Sequence, residues 1–218
     1  MRTKTPGTLY FDIETGPRPE VIADPAKWCK PDSRLKDPEK IKADLQEKAE
    51  AGALSPITGE ILAIGYSQDG DEWCDVVSKA VDESAVVQFF LDHCERAITQ
   101  GYRIAGFNCL DFDLPFLMFR ANVLGLWARS AIGSMWHSKF SPHEFIIDLQ
   151  RRVMWGKRDA TGYSLDRVAK AFGFEGKSGS GADFAKLLAT DREAAVAYLR
   201  NDIRQTALIG ERILSFWP

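Results

Sequence analysis

The sequence predicts an α/β fold with a mixed five-stranded central sheet flanked by helices, and three observations carry that reading. Residues 8–14 alternate, with Leu9, Phe11 and Ile13 on one side and Tyr10, Asp12 and Glu14 on the other. A second strand signal turns back on itself at "QDGDE", residues 68–72. From residue 82 onward, helical patterns alternate with short apolar runs of strand length.

In chain order, the first strand ends on two acids, and residues 17–60 then interrupt the pattern as an insertion within one domain spanning residues 1–218. The insertion starts as loop, with PRP, ADP and KPD. Asp37-Pro38-Glu39 opens a helix, Asp as N-cap and Pro at the first helical position, that runs to about Glu50 and is closed by Gly52. Its only apolar residues of size are Ile41 and Leu45, which fits a solvated helix; a substrate-facing arm is the other reading. Residues 61–67, ILAIGYS, form a buried strand, and Trp73 to Val77 is the return strand of the hairpin. Val86, Val87, Phe90, Leu91 and Cys94 stripe a helix over 82–98. Strands follow at 103–107 and 145–149, and helices at 113–124, 164–172 and 191–216.

Composition excludes several classes. With 45% hydrophobic and 27% charged residues the chain has the make-up of a globular protein, and no apolar run approaches the ~18 residues of a membrane span. The stretch MRTKTPGTLYFDIE has no apolar signal core, so a cytoplasmic location is expected. Cys29, Cys74, Cys94 and Cys109 form no CxxC pair, and reduced, buried thiols are expected. The 28 basic and 31 acidic side chains give a net charge of −3, which rules out coating nucleic acid by charge alone. It leaves room for a nucleic-acid enzyme whose own site is acidic.

Three stretches stand out: Asp12-Ile13-Glu14; "FNCLDFDLPF", residues 107–116; and "YLRND", residues 198–202. On the helix, Tyr198 and Asp202 share a face. Each has an ordinary explanation, respectively a solvated strand end, a helix N-cap at Asp113, and a surface pair. Asp111, two residues before Asp113, competes with it as the functional acid; the Phe-Asp pairing and the helix start favour Asp113.

Together and in this order, the three stretches resemble the exonuclease motifs of the DEDD superfamily, which has a ribonuclease H-like fold. Asp12 and Glu14 match its Asp-x-Glu, Asn108 with Phe112-Asp113 matches the second motif, and Tyr198 to Asp202 matches Tyr-x(3)-Asp. The chain resembles the proofreading exonuclease domain of family B DNA polymerases and its stand-alone phage and bacterial relatives. "YSLDRVAKAFGF" and "NDIRQTALIGERI" also fit, so the resemblance spans residues 8–16 and 60–214; the insertion departs from it. The histidine subtype carries His five residues before the last acid, where this chain has Ala197, so Tyr198 marks the tyrosine subtype, DEDDy. None of His93, His137 and His143 stands at that position.

The resemblance implies a metal-dependent 3′→5′ exonuclease that releases nucleoside monophosphates from single-stranded DNA ends. At about 4 Å and an effective dielectric near 20, each carboxylate pair repels by roughly 4 kcal/mol, so converging acids need cations among them. Carboxylates suit Mg²⁺ or Mn²⁺, and two such ions can clamp a phosphodiester. By resemblance, Asp12, Glu14 and Asp202 hold one ion, Asp12 chiefly holds the second with Asp113 acting directly or through water, and Tyr198 orients the attacking water. A tyrosine with a pKa near 10 is a poor base at neutral pH. The helix dipole is expected to keep Asp113 ionised, and Asn108 and Phe112 are expected to contact the terminal nucleotides. RNA 3′ ends, a silent nucleic-acid-binding or polymerase-accessory module, and a ribonuclease H-like endonuclease remain the alternatives. A replication or repair partner is left open.

Two further stretches invite functional readings. "AFGFEGKS", residues 171–178, fits a relaxed P-loop pattern but follows a helix rather than a strand, so a loop is expected, with Lys177 available to a backbone phosphate. "QRRVMWGKR", residues 150–158, reads as a solvated helix face carrying one buried Trp, with single-strand binding as the other reading.

Overall fold

A computed structural model describes residues 7–78, 80–126, 145–155, 157, 159–176 and 184–216. Strand β1 (Thr8–Pro17) lies at the centre of a sheet with β2 (Gly59–Gln68), β3 (Asp71–Val76), β4 (Arg103–Gly106) and β5 (Ile146–Asp148). The strand order is β3-β2-β1-β4-β5. β1 pairs antiparallel with β2 and parallel with β4, β2 pairs antiparallel with β3, and β4 pairs parallel with β5. The expected mixed five-stranded sheet is therefore present. The β2–β3 connection is a two-residue turn with Asp69 at φ 54° and Gly70 at φ 91°, the mirror-image geometry that suits strand twist.

The alternation in β1 divides the core. Leu9, Phe11 and Ile13 pack with α4 (Glu83–Thr99) and α5 (Asp113–Val123). Tyr10 packs on the opposite face with the last helix and with α7 (Leu165–Ala171); α6 (Leu149–Met154) lies on that side too. The last helix, α9 (Arg192–Phe216), crosses β2 and β1, and two glycines let it lie close. A Cβ on Gly65 would sit 2.7 Å from Ile203 and 2.8 Å from Leu199; one on Gly210 would collide with the Tyr10 ring. Asp202 lies between Leu199 and Ile203, at the Gly65 contact, so the small residue in the strand helps to set its height above the sheet.

Several expectations are corrected. The insertion does not begin as loop: α1 (Pro19–Ala23) and α2 (Pro25–Trp28) form there, each opened by a proline. In α3 (Pro38–Glu50) the Asp37 cap accepts from the Glu39 N–H at 2.9 Å, as expected, and the helix is mostly solvated. Gly52 does not close it; the chain tightens into a 3₁₀ turn, Ala51–Leu54, with Gly52 buried inside. The strand expected over 145–149 stops at Asp148, which caps α6 instead. Trp155 is not buried but 73% exposed, in a left-handed conformation that ends α6; Leu149 and Met154 are the residues α6 buries. Helix α8 (Phe184–Thr190) was not anticipated, although Phe184, Leu187 and Leu188 share a face and pack towards α9. Of the P-loop-like stretch, residues 171–176 end a helix and turn at Gly173, without the preceding strand a P-loop requires. Lys177 lies outside the described residues, as do His137 and His143.

All four cysteines are free thiols, with Cys94 and Cys109 buried. No helix among the described residues is long and apolar enough to cross a membrane.

Candidate active site

Asp12 and Glu14 leave β1 on the face that α9 covers. Asp202 comes down from α9, and each of the three offers a carboxylate oxygen within 4.8 Å of the others'. Asp202 is fully buried, Glu14 is 6% exposed, and Asp12 is half-buried. A register shift between Glu14 and Thr15 breaks the β1–β2 ladder at this point, as bulges do where a side chain is re-aimed beside a site.

Asp113 joins the group through the backbone. Its Oδ1 accepts the N–H of Ile13, the residue between the two acids of β1, at 3.1 Å. It is thus not an N-cap: Phe112 holds that position, and the Asp113 carboxylate reaches across to another element. Nor does the dipole decide its charge. Burial, then the neighbouring Asp12 charge, pushes the Asp113 carboxyl well above the usual carboxylate range, against the pull of the Ile13 and Asp113 N–H groups. Without a cation, the site holds at least one acid that resists ionisation.

Tyr198 lies one turn before Asp202 on α9, 6% exposed, with the Phe184 ring at 6.2 Å. Asn108 opens the loop before α5 with φ 62°, and its carbonyl accepts from Asp111 N–H at 3.2 Å and Phe112 N–H at 3.1 Å. The Phe112 ring lies 5.7 Å from that of Phe116. Asp111 points elsewhere, pairing with Arg151 at 2.9 Å at the surface. Arg151, from the basic stretch after β5, is thereby engaged with this loop. Cys109 is fully buried beneath the loop, its thiol pushed up by burial and by Asp148 and Asp113, and so held unreactive. His93 sits among Tyr66 and Trp73 on the α4 side of the sheet.

One residue of this site escaped the sequence reading. Asp148, 4% exposed, accepts from Asn108 N–H at 3.2 Å, Leu110 N–H at 3.1 Å and Arg151 N–H at 3.1 Å. It therefore shapes the loop that delivers Asn108, Phe112 and Asp113. The signal was there: it is an acid that follows a short apolar run, in "FIIDL".

Residues 49–213 match the RNase_H superfamily. The chain belongs to that family. The match begins after β1, so Asp12 and Glu14 lie outside it while Asp113, Tyr198 and Asp202 lie within. Among solved structures the chain is similar to the family B DNA polymerase from the hyperthermophilic archaeon Pyrobaculum calidifontis, with a TM-score of 0.65 and 22% identity. The likeness covers 98% of this chain and 25% of the polymerase, so the chain spans about a quarter of that protein's length, and it speaks to fold alone. No curated protein matches the chain. A ribonuclease H-like fold with a carboxylate cluster on its central strand and last helix is thus the frame for function.

Proposed function

We propose that this chain is a metal-dependent 3′→5′ exonuclease of the tyrosine subtype, hydrolysing phosphodiester bonds at the 3′ end of single-stranded DNA and releasing nucleoside monophosphates. The observation that carries the reading is the meeting of Asp12, Glu14 and Asp202, from the first strand and the last helix, within 4.8 Å. An all-oxygen donor set of this kind fits Mg²⁺ or Mn²⁺ and offers no soft ligand for other metals. The raised Asp113 carboxyl supports it, since added positive charge is what would ionise that group. When bound, a pair of divalent ions supplies charge stabilisation to both the attacking and the leaving oxygen of the phosphodiester.

The residues divide the remaining work. Asp12, Glu14 and Asp202 hold one ion, and Asp12 with Asp113 the other. Tyr198, fixed by packing beside Phe184, orients the attacking water by hydrogen bonding rather than taking its proton. Asn108 and Phe112 contact the terminal nucleotides, the Phe112 ring by stacking against a base. Asp148 keeps their loop in place.

The test uses a 5′-labelled single-stranded DNA and its RNA counterpart with Mg²⁺, Mn²⁺ or EDTA, comparing wild type with Asp202→Ala. A ladder shortening from the 3′ end, absent with EDTA and in the variant, is the expected result, with DNA the better substrate. Internal cuts would replace this reading with an endonuclease. Intact substrates that still shift on a gel would replace it with a binding module.

A further inference from the structure

The stripe of α9 that bears Tyr198 and Asp202 does not end with them. Gln205 and Ile209 continue it at i+7 and i+11 from Tyr198, so the four side chains share one face of the helix. That face descends along β1: Asp202 meets Asp12 and Glu14 within 4.8 Å, and a Cβ on Gly210 would collide with the Tyr10 ring. Gln205 and Thr206 therefore stand between these two points, one turn of helix from Asp202, before the apolar packing of Ile209 begins. Gln205 is 2% exposed and Thr206 is fully buried, yet Gln205 Oε1, Gln205 Nε2 and Thr206 Oγ1 have no hydrogen-bond partner. Other helical residues of these types in the protein are satisfied. Gln46 and Gln88 donate to Glu50 and Asp92 one turn on, at 3.0 and 2.8 Å, and Gln150 donates to Tyr163 O at 3.0 Å. Thr99 and Thr190 return their hydroxyls to the carbonyl four residues back, at 2.8 and 2.9 Å. Thr206 makes no such bond.

A buried amide with neither atom answered works against the fold, and a native protein keeps one where a ligand or its water answers it. We infer that Gln205 is a positioning residue for the ion held by Asp12, Glu14 and Asp202, its Oε1 accepting a hydrogen bond from a water of that ion's hydration shell. Thr206 lines the same polar floor. The inference rests on the metal-dependent reading above. Mg²⁺ and Mn²⁺ on carboxylates keep several of their waters, and hydrogen bonds to groups behind the ligands hold such a site in shape. A carboxamide suits the place because it accepts and donates without adding a charge to three converging carboxylates.

The test is a Mn²⁺ titration followed by the electron paramagnetic resonance signal of the free ion, with Tm measured separately in chelator. Gln205→Met keeps an unbranched side chain of similar size and removes the amide. It is expected to bind Mn²⁺ about 10-fold more weakly than wild type. In chelator it should melt higher than wild type, because an unanswered polar group has left the core. Gln205→Glu, which restores an acceptor oxygen, should recover the Mn²⁺ affinity while melting lower in chelator. Equal Mn²⁺ affinity of Gln205→Met and wild type would overturn the inference, as would a Gln205→Glu protein that binds as weakly as Gln205→Met. A Gln205→Met protein that melts lower than wild type in chelator, or does not fold, would show that the amide supports the fold itself, and would overturn it too. Asp202→Asn separates this inference from the reading beneath it. If wild type binds Mn²⁺, Asp202→Asn does not and Gln205→Met binds like wild type, the role of Gln205 fails alone; if wild type binds no Mn²⁺, the metal-dependent reading fails and the role of Gln205 with it.

Discussion

Two buried acid sites in this protein are settled in opposite ways. Glu83, at the start of α4, meets Arg120 of α5 in a two-pronged pair, Nε–Oε1 at 2.8 Å and Nη2–Oε2 at 2.6 Å, and also accepts from Ile61 N–H at 2.8 Å. Both side chains are under 10% exposed, at 9% and 5%. At Asp12, Glu14 and Asp202, by contrast, carboxylate is brought to carboxylate. The first arrangement joins β2, α4 and α5. In the second, converging carboxylates repel one another, and an added cation would relieve that repulsion.

The sharpest way to break this contrast is to turn the first site into the second. Arg120→Ala leaves Glu83 buried with one N–H partner, and breaking a buried pair from one side costs about 3–5 kcal/mol. A urea titration should show that loss, together with a much smaller one in Glu83→Gln/Arg120→Met, where neither charge remains. If the single and double variants are equally unstable, packing rather than charge explains the site.

Asp148 settles its charge in a third way, with backbone N–H groups. Burial raises its carboxyl above the ordinary range, while the Leu110 and Arg151 N–H groups, the Arg151 charge and the Asn108 N–H pull it back. Asp148→Ala leaves three N–H groups unanswered and should cost about 2–3 kcal/mol. Loss of stability is the lesser part of the expectation. Asp148→Asn, which keeps one acceptor oxygen, should recover much of the stability in the same titration. Its loop should nonetheless show faster amide exchange at Asn108 and Leu110 than wild type.

The carboxylate cluster itself predicts a stabilising substitution. Asp202→Asn removes one of three converging charges and should raise stability by about 1 kcal/mol in chelator, the modest residue of a larger repulsion after relaxation. Mg²⁺ or Mn²⁺ should raise the Tm of wild type and leave that of the variant nearly unmoved. A variant that is less stable than wild type in chelator would show that the acids do not oppose the fold.

How much of this was legible in the sequence follows from the same physics. The alternation of Leu9, Phe11 and Ile13 against Tyr10, Asp12 and Glu14 gave the sheet's two faces, because a strand's period of two leaves no choice once one face is apolar. The last helix was legible over 191–216 with Tyr198 and Asp202 on one face, and the Asp69-Gly70 turn from its residues. What was missed depends on contacts between distant segments. Asp148 acts on a loop on another element, and Asp113 was expected as a site acid at a helix start, while its hydrogen bond to the distant Ile13 N–H was not foreseen. Trp155 was taken as buried, yet it stands in a left-handed conformation past the last residue of α6, while Leu149 and Met154 are the residues turned inward. Short helices such as α8 carry too few turns for a stripe to declare itself.

The smallest effect concerns an acid left half in water. Glu60, where β2 leaves the insertion turn, has its carboxyl raised from the ordinary 4.5 to about 6. Burial is the largest cause, followed by the charges of Glu83 and Glu20, and Arg120 and Arg18 act in the opposite direction. For an acid raised in the folded state, the native protein binds the proton more tightly than the unfolded chain. Stability from Glu60 is therefore present below its unfolded value and is lost as pH rises through about 6. The displacement corresponds to about 2 kcal/mol at face value. Screening at a half-exposed carboxylate reduces it to about 1 kcal/mol or less. Glu60→Gln, which cannot ionise, should match wild type near the unfolded value and melt a few degrees higher above pH 7. If the two proteins differ in Tm by the same amount on both sides of that window, Glu60 ionises as freely in the fold as out of it, and the charge cluster at the root of the insertion imposes no cost.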